Sequence, residues 1–310
     1  MKFWQLFMEG LSDLLHPYTF DIRFDTAKEG GLYYLDMSDV LAREIRGFEK
    51  GIPVIYHGDL KYHNPVTVSF YALLHHDRYV LEKDELQAEI FLKQAHWLQV
   101  QERAGAFTYP TPVPRYRANL GWRSAMAQGL AISVFVRAFN LTDERVYRDA
   151  GLQAAETLSK PIEMGGCTSF DDNGLPFLEE VAVIPPAHIL NGAIFALWGL
   201  YDLEKISNTF QSFRELAVKR LIKELPRYDL GYWSRYDLMY HIPATRSYHM
   251  LHISQLKVLH ELTGEPIFKL YADKWQNYLK DPLKRIRAFG KKAWFSMKEI
   301  VRYRDQGQGT

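Results

Sequence analysis

From residue 64 onward, apolar positions recur with the period of a helix, and the helical stretches come in pairs. "NPVTVSFYALLHHD" leads to "KDELQAEIFLKQAHWLQVQER", and "SAMAQGLAISVFVRAFN" to "RVYRDAGLQAAETLSK". "HILNGAIFALWGLYDLEKIS" precedes "FRELAVKRLIKELPRYD", and "YHMLHISQLKVLHELTG" precedes "PIFKLYADKWQNYLK". The first helix of each pair is the more apolar, and Ala127, Gly129, Gly192 and Ala193 leave room for close helix contact. The second helix is amphipathic, with one charged side. This asymmetry predicts a mainly all-α fold in two layers, an incomplete α/α barrel (toroid) of about four helical hairpins. The inner helices are expected to begin near Val66, Ser124, Ala187 and Tyr248. Thr142 is placed to cap the helix that opens after it, Gly264 to end the one before it, and Pro266 falls in a first helical turn.

Three longer segments, 31–63, 105–122 and 161–186, read as loops or short strands. The last predicts a small β-hairpin insertion, because "DNG" is a turn signal flanked by Thr168, Phe170 and the run from Phe177 to Val181. No linker or low-complexity tract interrupts the chain. The economical organisation is one domain, residues 1–310, with an N-terminal embellishment (1–63), a helical-hairpin core (64–281) and a basic C-terminal helix or tail (282–310).

Composition narrows the function. Thirty-eight basic residues stand against thirty-seven acidic ones, which argues against a nucleic-acid partner. Nineteen Tyr, eighteen Phe and seven Trp exceed ordinary core needs, and sugar rings are one ligand class that uses such flat faces. The single Cys167 excludes an internal disulfide and a multi-cysteine zinc site, and fits a reducing compartment. "MKFWQLFMEGLSDLLH" carries a helical apolar stripe broken by Glu9 and Asp13, unlike a signal-peptide core. No apolar run reaches the roughly 18 residues of a membrane span. The expected location is cytoplasmic, at most membrane-peripheral.

"SRYDLMYHIPATRSYHMLHISQL", Ser234 to Leu256, concentrates titratable, half-apolar side chains where the fourth inner helix begins. Together with "GWRSAMAQGLAISVFVRAF" and "LEEVAVIPPAHILNGAIFALWGLYDL", this stretch resembles the C-terminal helical region of the D-glucuronyl C5-epimerases, which convert glucuronic to iduronic acid within heparan-type chains. The resemblance runs from about Asn64 to Lys280 and is densest from Gly121. It implies an incomplete α/α barrel and catalysis by Glu180, Tyr236 and Tyr248, with Asn191 touching substrate. Animal members add an N-terminal β-rich domain for which 310 residues leave no room, so the cleft is expected to be completed otherwise or to be more open. Two positions depart from the animal pattern: Val181 replaces a tyrosine and Met239 an arginine.

The residue types suit the chemistry. Epimerisation at C5 needs one group to remove a weakly acidic proton and another to return it to the opposite face of the ring. Arg235 and Arg246 lie within two residues of the tyrosines and are candidates to hold the substrate carboxylate. Gln128, Trp122, Tyr240, His249 and His252 complete the candidate substrate-binding set. Several readings stay open. Glu179 competes with Glu180, and a loop salt bridge is the plain alternative for either. His249 and His252 lie three apart on one helix face, but no third ligand accompanies them, so no metal is expected. Gln128 and Asn191 are equally suited to a satisfied polar core. Arg115, Tyr116 and Arg117 either grip a polyanion or are solvated, and the basic tail either covers the helical core or meets an anionic glycan or membrane surface.

The leading expectation is therefore a glucuronyl C5-epimerase-like enzyme without cofactor, acting on a glucuronate-containing polysaccharide or its precursor. The expected partners end there, apart from peripheral membrane contact and a second copy of the chain as a homodimer. A uronate polysaccharide lyase shares the first proton abstraction and is the alternative. A non-catalytic glycan-binding protein is the third reading. The three acid/base candidates and Asn191 are expected to line one cleft.

Overall fold

A computed structural model describes residues 12–23, 31–102 and 106–307, with side chains through Phe295. The fold is mainly α with small antiparallel sheets, as the periodicity predicts. After a short helix α1 (Ser38–Glu44), strands β1 (Gly47–Glu49), β2 (Ile52–His57) and β3 (Leu60–Tyr62) form a three-stranded antiparallel sheet. Four helix pairs follow: α2 (Pro65–Glu82) with α3 (Glu85–Gln101), and α4 (Ala125–Thr142) with α5 (Arg145–Ser159). Then come α6 (Leu190–Leu203) with α7 (Gln211–Glu224), and α8 (Arg246–Thr263) with α9 (Pro266–Lys280). The chain continues into α10 (Pro282–Gly307). The predicted β-hairpin is β4 (Thr168–Phe170) paired with β5 (Pro176–Leu178).

Local chemistry fixes the boundaries. Asn64 caps α2 by accepting from the Val66 N–H at 3.0 Å, with Pro65 in the first turn. Ser124 caps α4 and Thr245 caps α8. Gly264 ends α8 in the left-handed region. The third inner helix begins at Leu190 rather than near Ala187. His188 holds a left-handed backbone and its N–H donates to the Glu179 carboxylate, which keeps residues 187–189 out of the helix.

The contacts divide the described chain into two compact units, Asp21–Lys223 and Glu224 onward with the N-terminal segment up to Phe20. The N-terminal segment and the C-terminal helices thus share one unit. The physical reason lies in the N-terminal segment. The Asp13 carboxylate accepts from the N–H groups of Arg246 and Ser247, and the Tyr18 N–H donates to Ser247 Oγ, so the segment belongs with α8.

In the first unit α4 packs against α2, α5 and α6. The α4/α6 contact is backbone on backbone: a Cβ at Gly129 would collide with Ala196 Cα, and one at Gly199 with the Gly129 carbonyl. By length and composition α4 could cross a membrane, yet nearly every side chain from Ala125 to Ala138 is buried in this core. Arg137 and Asp202 form a buried ion pair at 2.7 Å, and Tyr34 donates to the same carboxylate at 3.0 Å. Residues 31–34 are thereby tied to α4 and α6, since Arg137 also donates to the Gly31 and Leu32 carbonyls. In the second unit α8 packs against α9 around Leu256, Trp275 and Phe268, and α10 packs on α9.

Candidate active site

The glutamate pair lies just past β5. The Glu179 backbone joins the hairpin to α4, its N–H donating to the Cys167 carbonyl at 2.8 Å and its carbonyl accepting from Ala125 N–H at 2.9 Å. Its side chain is fully buried and taken up by the fold. Ser169 Oγ donates to it at 2.6 Å, His188 N–H at 2.9 Å, and the His188 ring stands at 2.5 Å. Glu180 is different. It is half-buried and its Oε2 accepts from Asn191 Nδ2 at 2.9 Å. The carboxylate lies over the first turn of α6, where a Cβ at Gly192 would fall inside the Glu180 side chain. An amide donor and the positive end of a helix both complement a carboxylate. The geometry thus separates the pair: Glu179 builds the loop and Glu180 remains presented beside Asn191.

Tyr109 adds a residue that the periodicity could not single out. It lies in the loop between α3 and α4, stacks on Trp122 with ring centres 4.0 Å apart, and its hydroxyl donates to Asn64 at 3.3 Å. Burial holds its phenol far above the usual range, and the negative charge of Glu180 adds to the effect. Trp122 is fixed in turn by its indole N–H, which donates to the Thr111 carbonyl at 2.8 Å. Gln128 is fully buried; with its amide oriented to suit both neighbours, it donates to Glu102 at 3.1 Å and accepts from Phe107 N–H at 2.8 Å. That places Gln128 in a satisfied polar core. Burial raises the Glu102 carboxyl to about 9, so this acid is neutral near pH 7.

The tyrosines belong to the second unit. Ser234–Tyr236 runs antiparallel to residues 242–244, with Tyr236 N–H donating to the Ile242 carbonyl at 2.9 Å and Ala244 N–H to the Ser234 carbonyl at 2.9 Å. Asp237 closes the intervening turn by accepting from Tyr240 N–H at 2.7 Å. This ladder carries Tyr236 to Tyr248 in the first turn of α8, with ring centres 4.8 Å apart and edge to face. Tyr248 is partly exposed, and the Lys292 ammonium of α10 lies 5.9 Å from the Tyr236 ring centre. Nothing in the "KK" of the tail signalled that contact, which depends on the long-range docking of α10.

The remaining candidates separate. Arg235 is paired with the His241 ring, and Tyr240 packs near Phe295. Arg246 is engaged by the protein itself, its guanidinium donating to the Leu14 carbonyl. His249 and His252 are fully buried. The His249 ring stacks on Trp233 at 3.7 Å, donates from Nε2 to the Trp275 carbonyl at 3.1 Å, and meets Ser234 at Nδ1. Ser234 Oγ bridges to His252 Nδ1 at 3.0 Å. Burial lowers the His249 imidazole to about 3 and moves His252 the same way, so both rings are neutral and interior. They position Ser234 and the start of the ladder. Among the described residues, no group of three His, Cys, Asp or Glu side chains comes together.

A carboxylate held by an asparagine in one helical-hairpin unit, and a contacting tyrosine pair in the other, define a protein with acid/base candidates set amid aromatic side chains. The family model of the D-glucuronyl C5-epimerase C-terminus matches residues 101–277, more than half of the chain, and the chain belongs to that family. It is 29% identical over 266 residues to the D-glucuronyl C5-epimerase of Caenorhabditis elegans, covering 77% of this chain and 41% of the nematode protein. The chain thus spans less than half the length of that relative. It is 28% identical over 217 residues to an uncharacterized protein of Methanocaldococcus jannaschii, covering 63% of this chain and 70% of that one. A polysaccharide lyase of solved structure aligns over 92% of this chain and 86% of its own, with 13% identity and a TM-score of 0.48, too loose a likeness to bear on the reaction.

Proposed function

We propose that this protein is a glucuronyl C5-epimerase-like isomerase that acts on a glucuronate-containing polysaccharide or its precursor. Glu180, Tyr236 and Tyr248 are its proton carriers and Asn191 a substrate contact. Family membership supports the reaction class. The assignment of residues rests above all on the difference in burial within the glutamate pair: Glu179 is fully buried against Ser169 and His188, whereas Glu180 is half-buried and bonded to Asn191.

The chemistry follows from the substrate. The hydrogen on C5 of a uronate is weakly acidic because the adjoining carboxylate accepts the electron pair. A base takes the proton, the C5–H pair moves into an enediolate, and an acid returns a proton to the opposite face. Carbon is neither oxidised nor reduced, so the exchange needs no redox partner. A carboxylate and a phenol are suited to the two roles once their environments set their proton affinities. Arg235, next to Tyr236, is assigned to the substrate carboxylate. Arg246, which is bound to the N-terminal segment, is assigned to positioning. Peripheral membrane contact and a cytoplasmic location remain part of this reading.

The test is incubation with an unsulfated glucuronate polymer in deuterated water, followed by NMR. Deuterium at C5 in both configurations is the expected result. An unsaturated, ultraviolet-absorbing product would replace the epimerase reading with a lyase, and retained binding without either change would leave a glycan-binding protein.

A further inference from the structure

Next to the glutamate loop, the unit Asp21–Lys223 holds an open cleft of about 280 Å³ that none of the assigned roles uses. One wall is the segment 117–123 and the other is 182–184, with Ile162 and Gly166 between them. Both walls are fixed by backbone bonds. Ala182 N–H donates to the Arg123 carbonyl at 3.0 Å, and Val113 and Ala118 exchange bonds of 2.9 and 3.2 Å that close the loop carrying Arg117. Arg117 holds a left-handed backbone with its N–H on the Pro114 carbonyl at 3.0 Å, so the loop aims it reproducibly. Trp122 is immobilised by its stack on Tyr109 and its bond to Thr111, which makes the indole a rigid lining plate.

The charge of this cleft is unbalanced. Arg117 and Arg123 both line it, and neither forms an ion pair with a carboxylate among the described residues. Arg123 packs beside Gly165, and its Nε is buried without a hydrogen-bond partner among those residues. Buried guanidinium N–H groups are costly to leave unmet, and their planar fork matches a carboxylate. Asn119 adds an amide that can bond to hydroxyls. Two guanidiniums, an amide and a fixed indole face are the elements that recognise an acidic sugar ring. The second wall begins at Ala182, two residues beyond Glu180.

We propose that this cleft is a subsite for a second uronate unit of the chain, beyond the reacting sugar, with Arg117 and Arg123 on its carboxylate and Trp122 beneath its ring. The inference rests on the function proposed above, and it specifies a chain in which uronate recurs: the enzyme reads a second acidic sugar along it.

The test is equilibrium binding, which needs no turnover. One probe is a tetrasaccharide alternating glucuronate and N-acetylglucosamine; the other is the same molecule with its carboxyls reduced to alcohols. Arg117→Ala is expected to weaken binding of the acidic probe about tenfold and to leave the reduced probe unchanged. Arg117→Lys should recover part of that loss, because it restores charge without the fork. Arg123→Gln is expected to act in the same direction, and Arg117→Ala decides alone should that variant unfold in a thermal melt. Equal loss for both probes, or no loss for either, would overturn the subsite. Selective loss in a protein that shows no C5 exchange would keep the subsite and remove the epimerase reading, whereas normal exchange with unselective binding would do the reverse.

Discussion

Two neighbouring carboxylates, Glu179 and Glu180, show how environment assigns roles that residue type cannot. Glu179 is fully buried and bound by Ser169 and His188, so removing its charge strands those donors. Glu179→Ala is expected to lower stability by about 3 kcal/mol, read as a fall in the urea midpoint. Glu180→Gln keeps the size of the side chain, and its amide oxygen can still accept from Asn191. It should fold like the parent while abolishing C5 exchange, and a fully active Glu180→Gln protein would exclude Glu180 as a proton carrier. Tyr248→Phe makes the parallel case at the other cluster. The ring that meets Tyr236 edge to face at 4.8 Å is retained and only the hydroxyl is lost. Exchange should fall by roughly 10²–10⁴ if the phenol carries a proton, and the melting temperature should hold. Parental exchange rates in that variant would shift the role to Tyr236 alone.

At the scale of elements, two glycines perform different tasks in the same helix contact network. Gly129 lets α4 meet the backbone of α6 at Ala196, and a backbone cannot step aside for a methyl group. Gly129→Ala should therefore cost about 1–3 kcal/mol of stability, measured by urea unfolding. Gly192 instead makes room for the Glu180 side chain from its Cβ outward, and a Cβ cannot be rotated clear. Gly192→Ala should therefore also cost about 1–3 kcal/mol and, unlike Gly129→Ala, displace the carboxylate from Asn191, so exchange falls further in this variant than in Gly129→Ala at a similar melt. The small residues that permit these contacts were visible in the sequence, as were the helix end at Gly264 and the first-turn proline at Pro266, because each is a local signal. What escaped is long-range. The Asp13 carboxylate on the first turn of α8, the buried partners of Glu179 and the Lys292 ammonium near Tyr236 join positions whose spacing carries no period. Arg246 and the pair His249/His252 were candidates because they flank Tyr248 in sequence. Helix geometry turns His249 and His252 to the interior while Tyr248 stays partly exposed.

For the whole molecule, buried titratable groups set opposite pH dependences in the two units. His249 is held neutral by burial, its proton affinity lowered to about 3 in the folded state against about 6.5 when unfolded. Between those values the unfolded chain binds a proton that the native chain does not. Stability contributed by this group is complete above pH 6.5 and is lost as the pH falls, by up to about 1.4 kcal/mol per pH unit for each such histidine. His252 moves in the same direction. Glu102, raised to about 9 by burial, works the other way: between about 4.5 and 9 the native chain holds the extra proton, so its share of stability declines as the pH rises. The unit that carries Tyr236 and Tyr248 should thus weaken in acid, and the unit that carries Glu180 in alkali. Trp233 offers a local reporter, because it stacks on His249 at 3.7 Å. Urea unfolding followed by tryptophan emission at pH 5, 6 and 7.5 should show the midpoint falling at pH 5, with the early loss greatly reduced in His249→Gln. Comparison of the two proteins cancels the opposing contribution of Glu102, and an acid loss in His249→Gln as large as in the parent would mean that the buried imidazole does not set this dependence.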